Sequence, residues 1–253
     1  MGFSSPWVGM ANFHQIFSQP NFIRTIWNTL YIAVFKIIGG IVVPVTFALL
    51  LNELRNHWVK KIFQTIVYMP NFLSWVILAG ILWEILSLDG VVNMFIKSAG
   101  FSPVMFLSES KIFPWTIIIT DIWKGFGFGT VIYLASLASI DPGLYESAMI
   151  DGAGRWKQTV FITIPMMAPT IVLLSVLSLS GILSAGFDQI YNLYSPIVYS
   201  TGDVIDTFVY RMGIQQAQYS VGAAVGLFRS VVSAILIITS HVMANKLAGY
   251  RVF

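Results

Sequence analysis

The sequence has no cysteine and very little charge. Without thiols there can be no disulfide, no thiolate metal ligand and no cysteine nucleophile. Only 10% of the 253 residues are Asp, Glu, Lys or Arg, against about 25% in an ordinary soluble domain. So few charges cannot cover a water-facing surface, whereas hydrocarbon as solvent requires few. The net charge of +3 is too small to point to nucleic acid. No Gly-Lys dipeptide occurs, so the chain lacks the phosphate loop in which that pair precedes Ser or Thr. His14, His57 and His241 are scattered, and no metal-binding or catalytic cluster stands out. Met1 to Pro20 lacks the basic segment and continuous apolar core of a secretory leader. Pro6 occupies the position where a myristoylation signal needs Ser or Thr.

What the chain has in abundance is apolar residues, 57% of the total. About 20 consecutive mostly apolar residues cross a hydrocarbon core as a helix. Five stretches qualify: Trp27 to Leu51, Ile62 to Leu86, Phe113 to Ile140, Met166 to Ile190 and Ser220 to Ala248. Backbone polar groups must be satisfied within each segment in lipid, which makes helices the expected form. The fold class is therefore all-α, a polytopic transmembrane bundle forming a single domain over 1–253.

Cation placement orients it. One set of loops holds Arg55, Lys60, Lys61, Arg155, Lys157, Lys246 and Arg251; the other holds Arg24, Lys97, Lys111 and Arg211. The richer set is expected in the cytoplasm, with the C-terminus inside and the N-terminus of this chain outside. An external N-terminus without an export signal points to a further span preceding this sequence, and so to six spans in the intact protein. On the external side, Val91, Val92, Phe95 and Ile96 predict a short interfacial helix within Leu88 to Gly100. Tyr191 to Tyr219 reads as a polar loop at headgroup level.

The internal segment Asp141 to Pro165 is the most informative. Asp141-Pro142 is a helix cap followed by proline in the first turn. Asp151-Gly152 stops that helix, with glycine suited to a left-handed position. A second helical run comes next, carrying Arg155 and Lys157. The expected form is a helix–turn–helix elbow on the cytoplasmic face.

This elbow resembles the coupling loop of binding-protein-dependent ABC importer permeases, whose motif is Glu-Ala-Ala, three residues, Gly, nine residues, Ile-x-Leu-Pro. Here Glu146-Ser147-Ala148, three residues, Gly152, nine residues and Ile162-Thr163-Ile164-Pro165 keep the full spacing, with Ser147 for Ala and Ile164 for Leu. Asn28-Thr29-Leu30, Met69-Pro70-Asn71-Phe72 and Gly226-Leu227-Phe228 resemble the sugar-type permeases of the maltose-transporter kind, nearest the complex-oligosaccharide branch. The resemblance implies a type I importer permease fold and a role as one half of the pathway for a sugar or oligosaccharide. It implies a different second permease, two ATPase subunits that hold the ATP and Mg, an extracytoplasmic solute-binding protein, and a bacterial cytoplasmic-membrane location. The chain itself is then not an enzyme. Glu146 would contact the ATPase and Gly152 would form the sharp turn, with Ser147, Ala148, Ile162 and Pro165 completing the motif. A permease for a non-sugar solute is the alternative, and an ion-coupled secondary transporter a more distant one. The latter predicts inverted repeats, and none is evident.

Polar residues inside apolar spans are costly and usually face a bundle interior or water. Asn71, Asp121, Lys124 and Arg229, flanked by Trp75 and Trp123, are candidates for the translocation path. Internal ion pairing would satisfy the same residues; Asp121 and Lys124, three apart, share one helical face, where they can pair. Glu84 and Asp188 are expected at an interface. Gly125, Gly127, Gly129 and the Gly222/Gly226 pair are expected to permit close helix packing.

Overall fold

The structure is a computed structural model in which residues 7–248 are described, with side-chain surroundings described as far as Thr239. Among the cations used for orientation, Arg251 and the side chain of Lys246 lie outside the described residues.

Every regular element among the described residues is helical. The chain runs through α1 (Ala11–Phe17), α2 (Pro20–Glu53), α3 (His57–Tyr68), α4 (Trp75–Ile85), α5 (Val91–Ser98) and α6 (Phe113–Ala138). It continues through α7 (Pro142–Ile150), α8 (Arg155–Gln158), α9 (Ile164–Leu179), α10 (Phe187–Leu193), α11 (Tyr199–Gly202), α12 (Ile205–Val209) and α13 (Tyr219–Ala248). A π-helical turn, Thr159–Thr163, joins α8 to α9 in one apolar helix, Arg155–Leu179. Among the described residues four helices are long and apolar enough to cross a membrane, and five if the bent pair α3–α4 counts as one. In the most apolar window of Arg155–Leu179 only 11% is buried. Apolar surface turned outward on that scale needs hydrocarbon or another subunit against it.

Three expected spans change shape. The first begins at Pro20 rather than Trp27. Its early turns look polar in sequence, yet Phe22 and Thr25 are buried there. The second is broken: Met69–Phe72 is a 3-10 turn containing Pro70, Ser74 caps α4 by accepting from the Ile77 N–H, and the two halves meet at 106°. Pro70 has no N–H to continue the ladder. The fourth runs Arg155–Leu179, starting and ending eleven residues before the expected Met166 and Ile190. It passes through Pro165 because the π-turn directly before it widens the helix where the ring would meet the carbonyl four residues back. It ends before Gly186, which has a left-handed φ of +94°.

The expected polar loop after the fourth span is instead a folded segment. In α10 to α12, Gln189, Ile190, Leu193, Ile205, Thr207 and Phe208 are buried. Gln189 donates to the Ile117 carbonyl at 2.8 Å. Asp203 is nearly buried and takes both Arg211 guanidinium nitrogens, at 2.9 and 2.5 Å, while Thr207 donates to it at 2.8 Å. The interfacial helix expected near Leu88 to Gly100 is α5, with Val91, Met94 and Phe95 exposed.

The chain divides into two compact units. Unit 1 is the chain up to Phe35 with Ser74–Ile119 and Gly181–Ile235. Its core gathers Phe22, Leu183, Ile205, Phe208 and Val225. Unit 2 is Lys36–Leu73, Thr120–Ser180 and the chain from Leu236 onward, with a core of Ala48, Tyr133, Leu137, Ile140 and Met167.

Candidate coupling elbow and intramembrane polar residues

The elbow lies within unit 2. At its start the Asp141 side chain accepts the Gly143 N–H at 2.9 Å, and Pro142 fills the first turn of α7. Its end is closed twice: Ala153 N–H donates to the Ala148 carbonyl at 2.8 Å, and Gly152 N–H to the Met149 carbonyl at 3.1 Å. This is the paired closure of a Schellman turn, which needs a left-handed residue. Gly152 supplies it with φ +77°, and a Cβ there would meet nothing within 4 Å. The requirement for glycine is therefore conformational rather than spatial.

Three side-chain ties anchor the elbow. Tyr145 Oη and Thr163 Oγ1 are 3.0 Å apart, linking α7 to the π-turn. The Gln158 amide donates to the Ala153 carbonyl at 2.8 Å. Arg155 forms an ion pair with Glu53 at the end of α2. Tyr145 and Ile162 also pack against the unit 2 core. Between these ties lies a cavity of about 470 Å³, lined by Glu53, Tyr145, Met149, Arg155 and Thr163 among others.

The opposite character appears on the rest of α7. Leu144, Met149 and Ile150 are 41%, 58% and 88% exposed. Glu146 and Ser147 are exposed beside them, and Ala148 is half-buried. Apolar side chains held outward on a short, capped helix form a surface suited to a protein partner. Pro165 is exposed in the first turn of α9.

The six candidate path residues fall into both units. Asn71, Asp121, Trp123 and Lys124 belong to unit 2, and Trp75 and Arg229 to unit 1. Lys124 donates to the Asn71 main-chain carbonyl at 3.2 Å, a carbonyl located at the break between α3 and α4. Asp121 reaches another helix, pairing with Lys36 of α2 at 3.2 Å, with the Lys36 side chain 9% exposed. In the geometry these two residues of α6 are tied to α2 and to the α3–α4 break. Arg229 pairs with Asp206 of α12. Trp123 is 44% exposed and Trp75 half-buried.

Sequence reasoning missed Glu53, Tyr145, Lys36 as a partner of Asp121, Asp203 and Asp206. Tyr145 adjoins the motif and could have been singled out. Glu53 and Lys36 pair with residues distant in sequence, and Asp203 and Asp206 pair 8 and 23 residues along the chain, at spacings no local pattern announces.

The glycine expectations divide. A Cβ on Gly127 would lie 2.1 Å from the Val67 carbonyl oxygen, and one on Gly222 3.1 Å from the Gly213 Cα. Both serve close backbone approach. Gly125 and Gly226 meet nothing within 4 Å among the described residues of this chain.

Comparison with known proteins matches residues 40–248 to the family described as the binding-protein-dependent transport system inner membrane component. Protein LplB of Bacillus subtilis is 40% identical over 248 residues, 97% of this chain and 78% of that protein. A polygalacturonan/rhamnogalacturonan transport system permease protein of the same organism is 37% identical over 96% of this chain and 76% of its own length. A crystal structure of a bacterial alginate ABC transporter, in complex with an alginate pentasaccharide-bound periplasmic protein, contains a chain with the same fold. Its TM-score is 0.91 at 40% identity, covering 95% of this chain and 84% of that one. With its helical spans and its capped elbow, this chain belongs to the binding-protein-dependent transport system inner membrane components.

Proposed function

We propose that the chain is a permease subunit of an ATP-driven importer of oligosaccharides in a bacterial cytoplasmic membrane, and that α7 with the Gly152 turn is its docking element for a separate ATPase subunit. The observation that carries this reading is the elbow: rigid at both ends, tied to α2 and to the helix Arg155–Leu179, and apolar where it faces outward. The relatives' substrates are polysaccharide-derived, which supports a carbohydrate cargo.

A capped helix moves as a unit, whereas a slack loop would absorb displacement. Closure of two ATPase subunits, holding ATP and Mg, would push on Leu144, Glu146, Met149 and Ile150. The Tyr145–Thr163 and Arg155–Glu53 ties would pass that displacement to two membrane helices. A second, different permease supplies the other half of the pathway, and a solute-binding protein delivers the sugar outside. Within the path, the Asp121–Lys36 and Arg229–Asp206 pairs lower the cost of charge in the bundle. Trp75 and Trp123 offer faces on which sugar rings can stack.

The test is Gly152→Val against Gly152→Asn, each co-expressed with the neighbouring transporter genes. A β-branched residue at left-handed φ is strained by about 1–2 kcal/mol, while Asn adopts that conformation routinely. Gly152→Val should lose ATPase co-purification and uptake, and Gly152→Asn should retain most of both. Full assembly and uptake by Gly152→Val would refute the docking role.

A further inference from the structure

A groove of about 410 Å³ lies in unit 1 at the beginnings of α2 and α6. Arg24, in the second turn of α2, and Lys111, two residues before α6 opens at Phe113, are its cations, and both are exposed. No carboxylate is among the described residues that line it. Asp203, the buried acid of the same unit, is held by Arg211. The wall is firm. Thr201 donates to the Ser110 carbonyl at 2.5 Å, Ser110 donates to the Ile197 carbonyl at 3.3 Å, and Asn28 donates to the Ser200 and Asp203 carbonyls at 3.3 and 3.1 Å.

Next to this cationic groove runs an apolar strip. Tyr31 and Phe35, one turn apart on α2, meet Trp115 of α6 with ring centroids 6.0 and 5.0 Å away. Trp27 at the groove is 69% exposed, Val34 37%, Trp115 42% and Ile119 62%. Positions 27, 31 and 34 share a face of α2, and 115 and 119 share one of α6. Both helices are membrane spans that begin here, so the groove sits at one membrane–water interface and the strip extends from it into the hydrocarbon. Trp and Tyr at that level with cations beside them are the usual furniture of an interface. A rigid groove with two unopposed cations set over an exposed apolar strip adds a binding site to it.

We infer that this groove binds the phosphate headgroup of an anionic phospholipid, with an acyl chain lying along Tyr31, Val34, Phe35, Trp115 and Ile119. Charge complementarity selects the anion, and the adjoining strip selects a lipid over a soluble anion, which would gain nothing from it.

The experiment uses the full chain in vesicles of dioleoylphosphatidylcholine mixed with a minority of dioleoylphosphatidylglycerol. After gentle solubilisation, the lipid retained per protein is measured by native mass spectrometry. Arg24→Gln with Lys111→Gln should cut phosphatidylglycerol retention by about 10- to 30-fold, the loss expected of two membrane-surface cations. Lys97→Gln, a change in an exposed cation outside the groove, should leave it unchanged. Val34→Asn with Ile119→Asn should weaken retention of dioleoyl but not of dihexanoyl phosphatidylglycerol. The inference is overturned by unchanged retention in the double charge variant or by an equal loss in Lys97→Gln. Displacement of the lipid by inorganic phosphate at matched concentration would reveal a soluble-anion site and overturn it too. A wild-type chain retaining no phosphatidylglycerol would point to a protein covering the groove, with the same consequence.

Discussion

Asp206 illustrates how one residue balances opposing effects. Burial pushes its carboxyl above the ordinary range, while the Arg229 charge and a hydrogen bond from Ser184 pull the other way. The net direction is upward, so the folded chain takes up this proton before the unfolded chain does. Folding stability therefore gains from this group as pH falls through the raised value, and the gain is complete below the unfolded value. Thermal unfolding in detergent across mildly acidic pH should show that gain in the wild type. Asp206→Asn should remove this component and flatten the profile; an unchanged profile would show that Asp206 does not titrate differently on folding. Tyr194 is also pushed upward, chiefly by burial and then by its hydrogen bond with Tyr199, and so stays neutral through the physiological range.

At the scale of elements, the contact of α6 with α3 is set by one absent side chain. The Val67 carbonyl occupies the place of a Gly127 Cβ. Gly127→Ala must separate the two backbones and should cost about 1–3 kcal/mol, as overpacking does. Gly125→Ala, with open space around it, should be neutral or slightly stabilising through its better helix propensity. Paired thermal melts in detergent distinguish the two; equal effects would mean that α3 moves freely away. The same scale shows how much of the fold is legible in the sequence. The spans, α5 and the elbow from Asp141 to Gly152 follow from apolar length, periodicity and capping chemistry. Tyr191 to Tyr219 reads as a loop because its buried positions include Asp203 and Thr207. These polar residues are satisfied by Arg211 and by each other, which hydropathy does not register. The helical run at Arg155 is legible, but its continuity with the fourth span is hidden by Pro165 and Pro169, residues that normally break a helix.

For the whole molecule, the facing of the loops is directly measurable because native cysteine is lacking: any thiol introduced is the only one present. Ser147 on α7 and Ser102 between α5 and α6 are both exposed. Ser102→Cys in intact cells should react with a membrane-impermeant maleimide, and Ser147→Cys only after the membrane is opened. The reverse pattern would invert the orientation read from Lys and Arg. Of the candidate path residues, the sequence identifies the costly charges but not their partners. Lys36–Asp121 and Arg229–Asp206 join residues far apart in the chain, and only a folded chain sets their distances.

The π-turn at Thr159–Thr163 bears on the tolerance of this helix to changes of length. The Ile164 N–H donates to the Thr159 carbonyl five residues back, and one such turn houses a single surplus residue without altering the phase of the helix beyond it. Removing Val160, together with Pro165→Ala to relieve the ring that the wide turn accommodates, should collapse it to regular α-helix. Every residue of α9 would keep its facing, and the chain should still assemble. Removing Val172 instead would rotate all later side chains by about 100°, and assembly should fail. The nine-residue interval between Gly152 and Ile162 thus contains one position that sets no facing of its own, a place where an insertion or a deletion can be absorbed.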